Sequence, residues 1–432
     1  MPSVIIIGGG LAGLSAAAAL AGAGCRVAIF EARSFLGGRA TSFPLAPSDP
    51  DSELIDNCQH ILLRCCVNLQ DFYARLGVAR HIRFYREFYF IEPGGRLSTM
   101  RRGLLPAPAH FTGSFLRMRF LNTRDKLAIA RGLLALRRER NRRQDLDQIT
   151  MLDWLREKRQ TPRAIERFWR QVLVSAINED LDRMAARHGF QVFWLGFLAR
   201  ADAYEMGVPA IPLGELYRAE LWRGLGDVSL RLRCPVESID DAGVLAGGER
   251  YRADYYICAL PFERCGALAL AVPAFEHSPI TGIHLWFDRP VTDLPHATLL
   301  DRTIQWMFNK SEGRYLQLVV SASRQLAAMG RADIIALACE ELREFLPAVR
   351  DARLEKAHVI KELRATFSAA PGTEVLRPPP ETCRPDLFLA GDWTRSGWPA
   401  TMEGAVRSGY LAAEAVLRAA GRPARFLLPD IA

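Results

Sequence analysis

The stretch Val4-Ile5-Ile6-Ile7-Gly8-Gly9-Gly10-Leu11-Ala12-Gly13 decides the fold of this chain. Four consecutive β-branched residues are typical of a buried parallel strand. The glycines after them have the spacing G-x-G-x-x-G: Gly8 permits a sharp turn, Gly10 lets the backbone approach a pyrophosphate, and Gly13 brings the next helix close to the strand. The alanine-rich segment 14–22 predicts that helix, whose first N–H groups would face the phosphates. The stretch therefore predicts a Rossmann-type dinucleotide-binding fold.

The second strand supplies the context that an isolated glycine motif lacks. Segment 26–30 has the pattern of a strand and ends at Glu31, 18 residues after Gly13. An acid at this place accepts hydrogen bonds from a ribose diol, and its charge disfavours a 2′-phosphate. A glycine-rich turn in some other α/β protein is the alternative.

The continuation indicates which dinucleotide binds. Glu31-Ala32-Arg33 leads to Leu36-Gly37-Gly38-Arg39, which resembles the E-x-x-x-x-x-G-G-R extension of the amine oxidase and phytoene desaturase superfamily. That resemblance implies FAD as the cofactor. Glycines allow close backbone approach, and Arg39 can neutralise phosphate charge, although an ordinary surface arginine is the alternative.

A second motif lies near the carboxyl terminus. The strand-like run 387–390 ends in Gly391-Asp392, and a helix is predicted over 401–417. This resembles the closing flavin motif of the superfamily, which implies that Asp392 meets the ribityl–phosphate region and that the helix begins beneath the isoalloxazine. The positive end of that helix would stabilise negative charge on a reduced flavin. Without the first motif, Gly391-Asp392 would be only a turn.

A third element resembles the strand pair beside the adenine in the same superfamily. Segments 236–239 and 251–261 have this pattern, and the resemblance implies that Val236 contacts the base; taken alone, the two segments are an ordinary hairpin. The cofactor-binding residues expected from all three elements are Gly8, Gly10, Leu11, Ala12, Gly13, Glu31, Ala32, Arg33, Gly38, Arg39, Val236, Gly391, Asp392, Ala400, Thr401 and Met402.

At 432 residues the chain is too long for one compact core. The motifs predict an α/β fold with a Rossmann-type FAD-binding domain of the amine oxidase and glutathione reductase class, formed by 1–75, 210–270 and 380–432. A discontinuous α+β substrate domain is expected from 76–209, mostly helical, and 271–379. Its predicted elements are helices 124–143, 161–177 and 332–345 and strands 282–287 and 315–321.

Two blocks narrow the family. Asp56-Asn57-Cys58-Gln59-His60 and segment 390–405 closely resemble the squalene-associated FAD-dependent desaturases, now understood as hydroxysqualene dehydroxylases of bacterial hopanoid synthesis. That resemblance implies reduction of hydroxysqualene to squalene, with hydride from FADH2 and loss of water. Cys58 departs from the family pattern, which has glycine there, and this puts the local geometry of His60 in doubt.

Such a reaction needs a proton donor and a long apolar site. Asp56 and His60 are the candidate catalytic residues, the alternative being that their block only braces the flavin domain. Glu403 is a weaker candidate, since an acid at a helix start is often a dipole partner. Aromatic candidates for the apolar site, each also compatible with an ordinary core, are Phe84, Tyr85, Phe88, Tyr89, Phe90, Phe190, Phe193, Trp194 and Phe197.

The positive charge of the chain is concentrated. Segment 96–143 carries 13 Lys or Arg and only two acids, a net +11 in a chain whose total is +8. Mixed with apolar residues, these charges predict contact with an anionic membrane surface, a solvated face being the alternative. Nucleic acid is not an expected partner, because no reader motif accompanies the charge.

The nine cysteines show no paired metal spacing, and their odd number argues against a disulfide framework. We expect no metal, reduced thiols, no membrane-spanning helix and a cytoplasmic location, with attachment to the inner face of the membrane as an option.

Three alternatives stay open. A carotenoid-type desaturase would run hydride transfer in the opposite direction on similar architecture. An amine oxidase is less favoured, because the recognised motifs contain no lysine. A non-enzymatic protein like the GDP dissociation inhibitors would share the fold without flavin.

Overall fold

The computed structural model describes residues 1–46, 48–49 and 52–431. Its central feature is a five-stranded sheet in which every pairing is parallel. Segments far apart in the chain build this sheet. The predicted α/β fold class, with its parallel sheet, is confirmed. Its strands, in spatial order, are Val228–Arg231, Arg26–Phe30, Ser3–Ile7, Tyr255–Cys258 and Leu387–Leu389.

Two helices from opposite ends of the chain pack directly against each other. Helix Leu11–Gly22 is buried from Leu11 to Ala21, so its alanines give close contact on all sides rather than one apolar stripe. Helix Met402–Ala419 crosses it at Gly409, where a Cβ would overlap the Ala12 carbonyl oxygen. The hydroxyl of Ser15 donates to the carbonyl of Val406 at 3.2 Å. The carboxyl terminus thereby completes the amino-terminal fold.

A seven-stranded sheet forms the second layer. Residues alternate between its faces: Leu316 and Leu318 pack towards helix Arg331–Phe345, whereas Phe308 and Val319 face a cluster of helices. Its strands, in spatial order, are Leu354–Phe367, His277–Phe287, Tyr315–Ser321, Trp306–Ser311, His296–Leu299, Glu87–Glu92 and Arg96–Arg101.

The expectation that 76–209 is mostly helical needs correction at both ends. Strands Ile82–Tyr85, Glu87–Glu92 and Arg96–Arg101 occupy its beginning and Met206–Pro209 its end. The alternation of Phe88 and Phe90 with exposed or half-buried neighbours is the two-residue period of a strand. The expected strand pair of 236–261 is instead a three-stranded sheet, in which Gly243–Ala246 lies between Val236–Asp240 and Glu249–Tyr251. The last strand of this segment, Tyr255–Cys258, joins the five-stranded parallel sheet.

The remaining elements complete the helical layer and its connections. Two short sheets pair Ser42–Pro44 with Leu54–Asp56, and Leu62–Leu63 and Ile82–Tyr85 with Met206–Pro209. The other α-helices are Val67–Arg75, Thr112–Arg117, Thr123–Glu139, Met151–Glu157, Pro162–Ala164, Arg170–Ile177, Ala186–Phe193, Phe262–Cys265, Arg324–Ala328 and Thr373–Leu376. Single π-helical turns span Ile165–Trp169 and Trp194–Leu198, and 3-10 turns span Ala79–His81, Leu213–Leu216, Ala219–Gly224, Gly266–Leu268 and Pro347–Arg350.

Within the described part of the chain, no helix combines the length and the apolar character needed to cross a bilayer. In the same residues, no cluster of three or more His, Cys, Asp or Glu side chains is arranged to hold a metal ion.

Candidate functional site

The first glycine loop has the geometry of an anion cradle. Gly8 has φ +112°, and a Cβ on it would lie 2.8 Å from the carbonyl oxygen of Ala259. A Cβ on Gly13 would overlap the carbonyl oxygen of Gly8, so helix and strand approach as closely as backbones allow. At Gly10 the nearest atom to such a Cβ is Gly38 Cα at 3.9 Å, which leaves open space in front of the helix. The helix start has no side-chain cap, so its first N–H groups suit phosphate.

Glu31 holds the backbone at one side of this cradle. Its carboxylate accepts the N–H of Gly9 at 2.7 Å and that of Arg33 at 2.8 Å. The N–H of Cys234 donates to the carbonyl of Glu31 at 2.9 Å, which brings the strand beginning at Val236 alongside. The structure therefore brings Glu31, Arg33 and Val236 to one edge, and their contacts with the cofactor stay predictions.

The two sequence motifs meet through one ion pair. Arg39 Nη2 lies 2.7 Å from Asp392 Oδ2, and Arg39 Nη1 donates to the carbonyl of Ala365 at 2.6 Å. Asp392 is 8% exposed. The Arg39 guanidinium neutralises this carboxylate although its side chain is 37% exposed, and its expected contact with phosphate stays a prediction.

Buried arginines hold the loop that follows Asp392, and sequence reasoning missed them. Arg377, with 1% of its surface exposed, donates from Nη2 to the carbonyl of Asp392 at 2.9 Å and to Ser396 Oγ at 3.0 Å. Arg407 donates from Nε to the carbonyl of Ser396 at 3.0 Å. Nothing next to these arginines in the sequence marks them, because their partners come from another segment.

The helix that begins at Met402 is capped by Thr401, whose Oγ1 accepts the N–H of Gly404 at 3.0 Å. Glu403 turns away from its own helix. Its carboxylate accepts the N–H of Asn68 at 3.2 Å and that of Leu69 at 2.7 Å, in the first turn of helix Val67–Arg75. Burial raises the pKa of Glu403 to about 7, although these hydrogen bonds act against the rise. Glu403 is thus the cap of a second helix as well as a titratable group.

Asp56 has the environment of a structural carboxylate. Its oxygens contact Lys310 Nζ at 3.0 Å, Ser42 Oγ at 2.7 Å and the N–H of Leu213 at 2.9 Å. Burial favours a higher pKa, but these partners outweigh it and hold the pKa of Asp56 below its usual range. The geometry therefore favours bracing over the proton donation expected for Asp56.

His60 is held by its own turn. The distance from Nδ1 to the carbonyl oxygen of Cys58 is 2.9 Å, so the ring nitrogen donates there. Burial lowers the pKa of His60, which leaves a neutral imidazole at neutral pH. Burial also raises the pKa of Cys58 to about 12, so Cys58 is a neutral thiol.

An apolar cavity begins where helix Met402–Ala419 starts and continues between the seven-stranded sheet and the helices. About 1110 Å³ is free of protein atoms, part of it open to solvent. Among the aromatic candidates Phe88, Phe90 and Phe197 line this cavity, whereas Phe190 and Phe193 pack against tryptophans in the core. Its other lining residues include Ile61, Leu62, Leu63, Met100, Gln171, Val172, Ser175, Leu195, Thr298, Trp306, Trp398, Thr401, Met402 and Glu403.

This geometry defines the class of protein: a Rossmann-type dinucleotide-binding oxidoreductase whose cofactor is FAD. The uncapped helix start at Gly10, with space in front of it, fits a pyrophosphate, and the second helix start lies where the apolar cavity begins. The chain belongs to the flavin containing amine oxidoreductase family, whose model matches residues 11–417.

Among relatives, the chain is similar to 15-cis-phytoene desaturase of Synechococcus elongatus, with 26% identity over 97% of this chain and 98% of the relative. It is 25% identical to zeta-carotene desaturase of Synechocystis over 96% of this chain and 97% of the relative. Solved structures share its fold. They include an oxidoreductase from Methanosarcina mazei, with TM-score 0.69, 16% identity and coverage of 94% of this chain and 98% of that one. Cyclohexylamine oxidase from Brevibacterium oxydans has TM-score 0.67, 17% identity and coverage of 98% and 100%.

Proposed function

We propose that this flavoenzyme reduces hydroxysqualene to squalene, with loss of water, in bacterial squalene and hopanoid biosynthesis. The observation that carries the proposal is the apolar cavity, which joins the flavin-motif helix start at Thr401–Glu403 to a lining of aliphatic and aromatic side chains. Bound reduced FAD supplies the hydride. The cavity residues hold a long hydrocarbon chain and exclude water, so that the reactive allylic centre meets hydride before solvent.

The proton for the leaving hydroxyl needs a donor near the cavity. Glu403 lines the cavity and has a pKa near 7, close to the pH at which a general acid works best. Asp56 is held ionised and His60 neutral, so each fits the role less well than the sequence suggests. We therefore assign the proton-donor role to Glu403 ahead of the other two.

Anaerobic turnover tests the proposal. Purified protein with chemically reduced FAD and hydroxysqualene is expected to form squalene. The flavin is reoxidised in the same reaction, so its yellow absorbance at about 450 nm should return. Squalene incubated with oxidised enzyme serves as the control for the reverse direction. Absence of squalene and of flavin reoxidation would contradict the proposal.

Carotenoid desaturation is the second candidate, favoured by the desaturases that match along nearly the whole chain. Both reactions use a long isoprenoid in an apolar site. Incubation of the oxidised enzyme with phytoene and an added quinone acceptor decides between them, since new conjugated double bonds absorb visible light and squalene does not.

We further propose that the surface of segment 96–143 contacts anionic membrane. Exposed leucines occur there among basic residues, and Leu104 is fully exposed. Sedimentation with phosphatidylglycerol vesicles should decrease for the double variant Leu104→Ser and Leu105→Ser, and for Arg117→Glu. Leu363→Ser, at an exposed leucine on the opposite edge strand of the seven-stranded sheet, is the matched control and should bind as the natural protein does. Equal sedimentation of all variants would contradict the contact. The exposed leucines of this surface are Leu97, Leu104, Leu105, Leu116, Leu127 and Leu134.

A further inference from the structure

Two buried polar atoms in the wall of the apolar cavity stand out. Thr298 Oγ1 and Gln171 Oε1 have no hydrogen-bond partner among the residues that the structure describes. Both residues line the cavity, and Thr298 is 1% exposed. Buried hydroxyl and amide groups are nearly always paired, so two unpaired ones in one apolar wall indicate a missing partner.

Thr298 and Gln171 lie on a strand and a helix that are connected through Trp306. Thr298 pairs across the sheet with Trp306, whose Nε1 donates to Ser175 Oγ at 2.7 Å. Ser175 lies one helical turn after Gln171 and donates to its carbonyl at 2.8 Å. The indole therefore ties the helix to the sheet where the two unpaired atoms occur.

The pair of atoms matches an O–H group. A threonine hydroxyl can donate, and an amide oxygen can only accept, so a ligand hydroxyl between them would accept from Thr298 and donate to Gln171. A purely hydrocarbon ligand would leave both unpaired.

We propose that Thr298 and Gln171 form a hydroxyl-binding contact in the cavity, and that this contact selects an isoprenoid alcohol over its hydrocarbon. The inference rests on the proposed function for the choice of ligand. Water is the other source of the same chemistry, because Gln171 and Ser175 also line a neighbouring polar cavity.

Binding to the FAD-loaded protein without turnover tests the contact. With oxidised flavin, dissociation constants for hydroxysqualene and squalene are measured by quenching of tryptophan fluorescence. We expect the natural protein to prefer the alcohol by about tenfold, the size expected for satisfying buried polar groups. Thr298→Val and Gln171→Met should each abolish that preference, so that the two dissociation constants differ by about onefold. Thr298→Ser keeps the hydroxyl and should retain the preference.

A crystal structure of the natural protein separates the two sources. Equal affinities for both ligands, with an ordered water between Thr298 and Gln171 that Thr298→Val lacks, would assign the contact to water and overturn selection of the alcohol. Equal affinities with no such water, or a preference that survives in both apolar variants, would overturn the contact itself. If the enzyme forms squalene but binds hydroxysqualene and squalene equally well, the proposed function stands and the hydroxyl-binding contact is overturned. A preference that Thr298→Val abolishes, without squalene formation, would support the contact and contradict dehydroxylation.

Discussion

At the scale of single residues, one lysine binds two side chains of the block 56–60. Lys310 reaches from the seven-stranded sheet to Asp56 Oδ2 at 3.0 Å and to Gln59 Oε1 at 3.0 Å. The Asp56 side chain is only 3% exposed, so its charge depends on this partner. A charge buried this deeply is stable only when paired and hydrogen-bonded.

Replacement of Lys310 by methionine should lower the free energy of unfolding by about 3–5 kcal/mol, because an unpaired carboxylate stays buried. Urea denaturation at pH 7 measures the loss. Lys356→Met is the control, since its pair with Glu53 is more than 40% exposed on both sides and should contribute less than about 1 kcal/mol. A double variant with Asp56→Asn should recover part of the loss. Equal effects of the two lysine variants would contradict this account.

The glycines of one helix allow a matched pair of variants. Gly13→Ala would push a Cβ into the carbonyl of Gly8, whereas the nearest atom to a Cβ on Gly22 is Arg75 Nη1 at 4.0 Å. Gly13→Ala should therefore purify with at least roughly tenfold less FAD, because the cradle must widen. Gly22→Ala should keep its flavin and gain up to about 1 kcal/mol of stability from helix propensity. Flavin-to-protein absorbance ratios and thermal melts measure both; normal flavin content in Gly13→Ala would contradict the role of close packing.

At the scale of elements, two helix starts are joined by one carboxylate. Glu403 belongs to helix Met402–Ala419 but accepts N–H groups from the first turn of helix Val67–Arg75. The negative charge of an acid at a helix start is stabilised by the positive end of the helix dipole. Here the dipole belongs to a neighbouring helix, so the start of the flavin-motif helix is fixed by a contact distant in sequence.

The burial of Glu403 makes stability depend on pH. Because burial raises the folded pKa of Glu403 to about 7, above its ordinary value of 4.5, its contribution is complete below pH 4.5 and is lost as pH rises towards and through 7. The shift corresponds to about 3 kcal/mol. Glu403→Gln, whose amide stays neutral, should lose less stability than the natural protein between pH 5 and 8, because it has no charge to bury. Thermal melts across that range measure the difference; parallel curves for the two proteins would contradict the assignment.

At the scale of the whole molecule, segments from both ends of the chain meet in the structure. The Arg39–Asp392 pair and the packing of helix Leu11–Gly22 against Met402–Ala419 join them. A ligand that binds both segments stabilises the folded state by mass action. The parallel sheet alone cannot fix this arrangement, because its strands end before the loops that carry the motifs.

Removal of FAD should therefore lower the melting temperature, and its return should restore it. At a concentration of about 1,000 Kd the gain is about 4 kcal/mol. ADP, which can occupy only the amino-terminal cradle, should restore less of the stability than FAD does at equal saturation. Differential scanning fluorimetry of the apoprotein with each ligand measures this. Equal stabilisation by ADP and FAD would contradict a shared site.

The sequence by itself determined the Rossmann-type fold, the FAD cofactor and the positions of both flavin segments. Such features depend on local rules: glycines where a backbone must approach, an acid after the second strand, and a helix after each loop. The predicted strand Tyr315–Ser321 and helix beginning near Arg331 also needed only local periodicity. Domain boundaries and individual cofactor contacts stay predictions.

Only the tertiary structure decided which polar groups are buried and how each is paired. Asp56 is held ionised by a lysine 254 positions away, and Glu403 caps a helix more than 330 positions away. Arg39 pairs with Asp392, and Thr298 and Gln171 meet one cavity from a strand and a helix. The physical reason is that burial and pairing set the charge and availability of a side chain, and both arise from contacts between segments that sequence periodicity does not bring together.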